Sequence, residues 1–107
     1  MEELVTKLAG VTFGNRQKLI KTFMELGNVV PSEIILKREP DNKFDPNAIN
    51  VMIRDQSVGY IPKDIAIDLA PLMDIEEEIN VTGFAFNVLP HENKPIGMTI
   101  VINGIDE

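Results

Sequence analysis

Two segments of the chain place apolar residues at the spacing of an amphipathic α-helix. The first segment has its apolar positions at Leu19, Ile20, Phe23 and Met24. Asn15 precedes this run as a suitable N-cap, and Gly27 follows it as a stop signal. The sequence therefore predicts a helix between Asn15 and Gly27.

The second helical pattern follows Pro62, and its apolar positions are Ile65, Ala66, Leu69 and Ala70. Proline is favoured at the first position of a helix, so Pro62 is a reasonable start. Pro71 has no N–H to donate and is expected to end or kink the helix. The pattern predicts a short helix between the two prolines.

The remaining apolar segments are rich in branched residues and are typical of β-strands: 8–13, 31–39, 47–55, 57–61, 79–88 and 96–102. Gly59, inside one of them, predicts a bulge or a close approach of another backbone. About five strands with two inserted helices are expected. Because helices long enough for parallel crossovers are mostly missing between them, we expect a mainly β fold, a small antiparallel barrel or curled sheet.

Composition is that of a globular protein. The chain has 107 residues, of which 44% are hydrophobic and 25% charged, and a single domain over residues 1–107 is predicted. The absence of cysteine excludes disulfides and thiolate zinc sites. No export leader and no apolar run of about 18 residues is visible, so the cytoplasm is the expected location, with no membrane association.

The net charge of −7 is unevenly distributed. Residues 1–63 contain nine Lys and Arg against eight Asp and Glu, whereas residues 64–107 contain one against nine. An acidic chain is poorly suited to general binding along a nucleic-acid backbone, which needs many contacts between cations and phosphates. A polyanion would therefore have to bind a local site within residues 1–63.

Catalytic motifs are largely missing from the sequence. There is one histidine, His91, in a predicted surface loop, and no glycine-rich phosphate loop or nucleophile elbow. Glu39, Asp41 and Asp45 form a carboxylate cluster, but the run from Asp41 fails as a calcium loop, with Lys43 at its third position. We expect no enzyme, no metal and no cofactor; a carboxylate-metal nuclease is a distant alternative.

The stretch LKREPDNKFDPNAINV, residues 36–51, has two interpretations. Its Asp, Asn and Pro residues are turn formers, which favours a plain connection between strands. However, Phe44 is an aromatic residue set among charges, near the cations Lys37, Arg38 and Lys43. A flat ring beside positive charge is what single-stranded nucleic acid needs, so a binding site is the other interpretation.

The segments REPDNKFDPNAINV and VGYIPKDIAIDLAPLM strongly resemble the HIRAN domain. This family occurs in bacteria alone or beside helicase and nuclease domains, and at the N-terminus of eukaryotic fork-remodelling DNA translocases. AGVTFGNRQKLI also resembles the bacterial version of the opening strand and helix. The match covers about residues 8–73 well and the last two strands loosely.

The resemblance implies an OB-like β-barrel that captures the 3′-hydroxyl end of single-stranded DNA. By position, Phe44 would stack on a terminal base and Asp45 would accept a hydrogen bond from the 3′-hydroxyl. Phe13 falls where the family has another aromatic near the bases, and Lys63 would meet a phosphate. Tyr60 stands where eukaryotic relatives have a histidine.

The sequence also departs from the eukaryotic pattern. Thr12 replaces an arginine, and Arg16 could reach the same phosphate in its place. Phe86 is a candidate for a late aromatic of the pocket. For Phe13 and Phe86, burial in the core is the alternative interpretation, and Arg38 is expected to pair with a nearby carboxylate.

Taken together, the residues and the resemblance predict a non-enzymatic module that recognises single-stranded DNA at a 3′ end, in DNA repair, with a helicase or nuclease as a possible partner. The alternative is a protein-interaction barrel that has lost the pocket and uses its acidic half or its strand edges. The sequence leaves open the choice between DNA and RNA ends and the oligomeric state.

Overall fold

The computed structural model describes residues 2–89 and 94–105, so His91 lies outside the described residues. The elements in chain order are β1 (Glu2–Lys7), α1 (Arg16–Leu26), a 3₁₀ turn (Pro31–Glu33), β2 (Ile34–Arg38), β3 (Ile49–Ile53), β4 (Gln56–Tyr60), α2 (Lys63–Asp74), β5 (Asn80–Asn87) and β6 (Gly97–Ile105). Neither described helix has the length and hydropathy that a membrane-spanning helix needs.

The strands form two antiparallel sheets of three strands each, in the orders β1-β6-β5 and β2-β3-β4. Within residues 2–89 and 94–105 the sheets do not close into one continuous barrel. A bridge joins the segment after β1 to β4: Ala9 N donates to Tyr60 O at 2.7 Å, and Tyr60 N donates to Ala9 O at 2.9 Å. The prediction of a mainly β fold with two helices is confirmed, with six strands.

Both sheets and both helices contribute to one apolar core. Its buried members include Ile20 and Phe23 of α1, Ala66, Leu69 and Ala70 of α2, Ile49, Val51, Ile53 and Val58 of the second sheet, and Val81, Met98, Ile100 and Ile102 of the first. The helices bury the apolar faces that the sequence pattern predicts. Burial of this apolar surface is the main favourable contribution to folding.

The first helix forms where its pattern predicts. Ile20 and Phe23 are its buried residues, and Gly27 ends it with φ +64°, donating its N–H to Phe23 O at 3.2 Å. This left-handed conformation is one that glycine adopts without steric penalty. Asn15 occupies the N-cap position, but its side chain makes no capping hydrogen bond.

The second helix differs from its prediction at both ends. Pro62 is the N-cap residue, so the helix begins at Lys63, and Pro71 lies inside a helix that continues to Asp74. Pro71 and Ile67 are both exposed. Pro71 leaves the Ile67 carbonyl without its helical donor, and on this exposed face of the helix that loss is tolerated best.

The predicted strand at 8–13 is wrong. The first strand lies at Glu2–Lys7, and residues 10–13 form a turn in which Phe13 N donates to Gly10 O at 3.2 Å. Gly10, with φ +69°, adopts a left-handed conformation that a strand does not contain. The true strand was missed because polar Thr6 occupies one of its buried positions, which breaks the apolar alternation.

Gly59 confirms the predicted close approach of a second backbone. A Cβ atom built at this position would lie 2.8 Å from Ala9 O. The β3–β4 register also shifts between Val51 and Met52, which is the bulge that the glycine signalled. Gly59 therefore lets the segment carrying Ala9 lie against β4.

We expect Gly59→Ala to lower the free energy of unfolding by about 1–3 kcal/mol, because the added methyl group forces Ala9 away and weakens the bridge to Tyr60. Urea denaturation measures this loss. Gly97→Ala is the matched control, since its Cβ would be 3.5 Å from the nearest atom. Equal losses in both variants would contradict the close-approach explanation.

Candidate nucleic-acid interface

The loop between β2 and β3 is held in shape by its own polar side chains. Asn42 Oδ1 accepts hydrogen bonds from Phe44 N at 2.9 Å and Asp45 N at 3.1 Å, and Asp45 Oδ1 accepts one from Asn47 N at 2.9 Å. Such bonds from Asn and Asp to nearby amides define turns. The turn interpretation of this stretch is therefore correct for its backbone.

The same loop presents Phe44 to solvent. The Phe44 side chain is 93% exposed, so apolar packing of its ring does not hold the loop in shape. A large aromatic ring on a hydrogen-bonded loop offers a flat surface in a defined position. The turn and the site interpretations are thus compatible.

A second exposed aromatic lies on the turn before α1. Phe13 is 72% exposed, so burial in the core, the alternative for this residue, is wrong. The Arg16 guanidinium carbon lies 5.3 Å from the centre of the Phe13 ring and 5.1 Å from that of Tyr60. Arg16 Nη1 also donates to Gly10 O at 2.9 Å. Two cation–π contacts and one hydrogen bond therefore position this cation beside an exposed ring.

Glu39 connects Tyr60 to the loop. The Tyr60 hydroxyl donates to Glu39 Oε1 at 2.7 Å, and Asn42 Nδ2 donates to the same oxygen at 3.0 Å. The other oxygen, Oε2, accepts a hydrogen bond from Asn50 Nδ2 at 3.0 Å. One carboxylate thus joins β3, β4 and the loop.

Burial and hydrogen bonding act in opposite directions on this carboxylate. Burial is the largest single influence and raises the pKa of Glu39, but the hydrogen bonds from Tyr60, Asn42 and Asn50, together with the charge of Lys37, outweigh it and lower the pKa. Burial, followed by the bond to Glu39, raises the pKa of Tyr60. At neutral pH the carboxylate is therefore charged and the phenol keeps the proton it donates.

Lys63 is exposed and is the first residue of α2, three residues after Tyr60. Of the predicted site residues, the structure brings Phe13, Arg16 and Tyr60 into direct contact. It connects Phe44 and Asp45 to Tyr60 through Asn42 and Glu39.

Asn50 is a residue of this region that the sequence analysis missed. It is 8% exposed in an otherwise apolar strand, and its Oδ1 accepts a hydrogen bond from Ser57 Oγ at 2.7 Å. A polar side chain inside an apolar strand pattern is a signal for a buried hydrogen-bond partner. That signal could have predicted a polar partner for Asn50, but not which residue it is.

Arg38 makes the carboxylate pair that the sequence predicts. Its Nε and Nη2 donate to the two oxygens of Asp74 at 2.9 and 3.1 Å, and Nη1 donates to Ala48 O at 2.9 Å. The hydrogen bonds from Arg38 lower the pKa of Asp74. Arg38 therefore connects the end of β2 to the end of α2.

Phe86 belongs to the core. It is half-buried, packs against the core cluster and lies edge-to-face with Phe84, with 5.6 Å between ring centroids. The core interpretation of Phe86 is confirmed. In the parts of the chain that the structure describes, no group of three or more Asp, Glu or His side chains is placed to hold a metal ion.

Curated relatives match about two thirds of the chain. A Fanconi-associated nuclease 1 homolog of Arabidopsis thaliana is 39% identical over 74 residues, which is 68% of this chain. The helicase-like transcription factor of Oryctolagus cuniculus is 38% identical over 71 residues, or 64% of this chain. The chain covers 7% of the length of each of these relatives.

Two solved structures share the fold. The HIRAN domain of human HLTF matches with a TM-score of 0.56 and 26% identity, covering 92% of this chain and 74% of that one. A protein from Lactobacillus plantarum matches with a TM-score of 0.59 and 19% identity, covering 95% of this chain and 100% of that one. The family model of the HIRAN domain matches residues 2–103. The chain therefore belongs to the HIRAN domain family.

Proposed function

We propose that this HIRAN domain binds single-stranded DNA at a free 3′-hydroxyl end and catalyses no reaction. HIRAN domains generally bind DNA. The observation that carries the proposal is the position of Phe44, which is 93% exposed on a loop whose backbone is fixed by hydrogen bonds, directly before Asp45. An exposed aromatic ring followed directly in the chain by a carboxylate suits a terminal nucleotide.

In this proposal the ring of Phe44 stacks on the terminal base, and Asp45 recognises the sugar. One Asp45 oxygen accepts a hydrogen bond from Asn47 N, while a carboxylate has further lone pairs for the 3′-hydroxyl. A carboxylate accepts a hydrogen bond from a hydroxyl and repels a phosphate. Asp45 thereby distinguishes a free 3′ end from a blocked one.

Phe13 and Arg16 serve the strand on the 5′ side of the terminal sugar, beginning with the phosphate that joins the terminal nucleotide to the next one. Phe13 offers a second exposed ring for a base, and Arg16, held between Phe13 and Tyr60, supplies a cation for a phosphate. Arg16 in this way replaces the arginine that eukaryotic relatives have at the position of Thr12. Lys63 contacts another phosphate. A site for one chain end needs few such contacts, which reconciles DNA binding with a net charge of −7.

The test is fluorescence anisotropy of a labelled single strand that ends in either a 3′-hydroxyl or a 3′-phosphate. We expect the protein to bind the hydroxyl strand about tenfold more tightly, and Asp45→Asn to remove this preference because an amide does not repel phosphate. Asp41→Asn is the matched control, since it removes the same charge from an exposed residue of the same loop. It should keep the preference.

Equal affinity of the native protein for the two strands would contradict 3′-end recognition. Binding to neither strand would contradict DNA binding and favour the protein-interaction alternative. Magnesium-dependent cleavage of the strand would contradict a non-enzymatic role and favour the nuclease.

The proposal also includes a setting for the domain, which is DNA repair in the cytoplasm beside a helicase or nuclease. The support for a helicase or nuclease partner comes from the names of two curated relatives, a Fanconi-associated nuclease 1 homolog and a helicase-like transcription factor. This chain matches a small part of each relative. In those relatives the matching segment is one part of a much longer protein.

A further inference from the structure

Two separate parts of the chain form the proposed end-binding site. Phe44 and Asp45 lie on the loop between β2 and β3, whereas Tyr60 ends β4 and carries the Arg16 guanidinium against its ring. A terminal nucleotide that stacks on Phe44 while its phosphate meets Arg16 would touch both parts. Their relative position therefore matters for binding.

Glu39 lies at the junction of these two parts. Its Oε1 accepts hydrogen bonds from the Tyr60 hydroxyl at 2.7 Å and from Asn42 Nδ2 at 3.0 Å. The other end of the Asn42 amide, Oδ1, holds the backbone N–H groups of Phe44 and Asp45. A single carboxylate oxygen thus connects the phenol of one part to the amide that shapes the other.

The second oxygen fixes the orientation of the carboxylate. Oε2 accepts from Asn50 Nδ2, and the buried Asn50 amide is itself fixed because its Oδ1 accepts from Ser57 Oγ. The Glu39 backbone is also tied, since its N–H donates to Ala48 O at 3.0 Å. Glu39 is therefore immobilised against β3 and β4 before any ligand arrives.

We propose that Glu39 is a positioning residue that holds the Phe44–Asp45 loop in register with Tyr60 and Arg16, so that both parts meet one nucleotide. This inference rests on the proposed function, because it concerns the same site. Hydrogen bonds to a charged acceptor are stronger than those between neutral groups, which suits a residue with this role. Preorganisation of this kind increases affinity because the loop is ordered before binding.

Hydrogen exchange of the free protein tests the positioning without DNA. In Glu39→Gln the amide nitrogen replaces one acceptor oxygen and faces a donor, Asn50 Nδ2 or Asn42 Nδ2. We expect the backbone amides of Phe44 and Asp45 to exchange about tenfold faster in this variant. The amide of Leu8, which donates to Met98 O at 2.8 Å in the other sheet, is the internal control and should be unchanged.

Tyr60→Phe provides a second variant that removes one hydroxyl and keeps the ring under Arg16. The hydroxyl donates to Glu39 and not to the loop amides. If its removal speeds hydrogen exchange at Phe44 and Asp45, Glu39 must transmit the effect. We expect this effect in the native background and its absence in the Glu39→Gln background. An equal effect in both backgrounds, or none in either, would overturn the proposal.

Binding measurements then separate this proposal from the proposed function. If the native protein prefers the 3′-hydroxyl strand, Glu39→Gln should reduce that preference about fivefold. Unchanged preference together with unchanged exchange would overturn the positioning role alone. If the native protein shows no preference, the proposed function fails, while the exchange rates still decide whether Glu39 positions the loop.

Discussion

Replacing Phe44 with alanine is expected to weaken binding of a 3′-hydroxyl single strand by roughly 5- to 100-fold, the effect of losing one stacked base. The free energy of unfolding should change by less than about 0.5 kcal/mol, because exposed side chains contribute little to stability. This separation follows from the structure: the ring is 93% exposed, and the loop is shaped by backbone contacts to Asn42. Anisotropy and urea denaturation measure the two quantities.

Phe44→Tyr is the matched control for this prediction. Tyrosine keeps an aromatic face of nearly the same size, so binding should remain close to that of the native protein, whereas a general effect of substitution would weaken both variants. Native affinity in Phe44→Ala would show that the ring does not stack on a base. A large loss of stability in Phe44→Ala would contradict the claim that polar contacts alone hold the loop.

The largest effect on stability is expected for Ile100→Ala. Ile100 is 0% exposed and lies on β6, the central strand of its sheet. Truncation removes buried methyl groups and leaves a cavity between the sheet and the rest of the core, so the free energy of unfolding should fall by about 2–5 kcal/mol. Urea denaturation monitored by circular dichroism measures this change.

Ile67→Ala is the control with the same change of side chain. Ile67 is 57% exposed on α2, and alanine has a higher helix propensity than isoleucine. We expect stability to stay the same or to rise slightly. Similar losses in the free energy of unfolding for Ile67→Ala and Ile100→Ala would contradict the explanation by burial.

The two largest expected effects concern different properties, DNA binding for Phe44→Ala and stability for Ile100→Ala, because the two side chains differ in burial. Ile100 is buried by neighbours from several elements and stabilises the fold, whereas Phe44 contributes no packing and is free to contact a ligand. Phe86 resembles Phe44 in residue type but packs on Phe84 and the core. Phenylalanine residues in this protein therefore differ in burial, and the residue type alone does not predict that difference.

Much of the fold follows from local sequence. The α1 pattern with Gly27 at its end predicted that helix correctly, because the spacing of apolar residues and the left-handed C-cap are local properties. The strand at β1 was missed because a polar residue, Thr6, occupies a buried position. Its partner β6 is more than ninety residues away in the chain, and no local pattern predicts that pairing.

The sequence by itself determined both helices and most of the strands, the turn at residues 41–47, and the family, since these depend on residue type and on order along the chain. Only the tertiary structure decided that Phe13 is exposed, that Arg16 lies between Phe13 and Tyr60, and that Glu39 joins the loop to β4. The contacts of Tyr60 with Arg16 and with Glu39 join residues 44 and 21 positions apart, and such pairs meet only after the sheets and α1 pack around a common core. Packing of distant segments, rather than local propensity, assembles the candidate site.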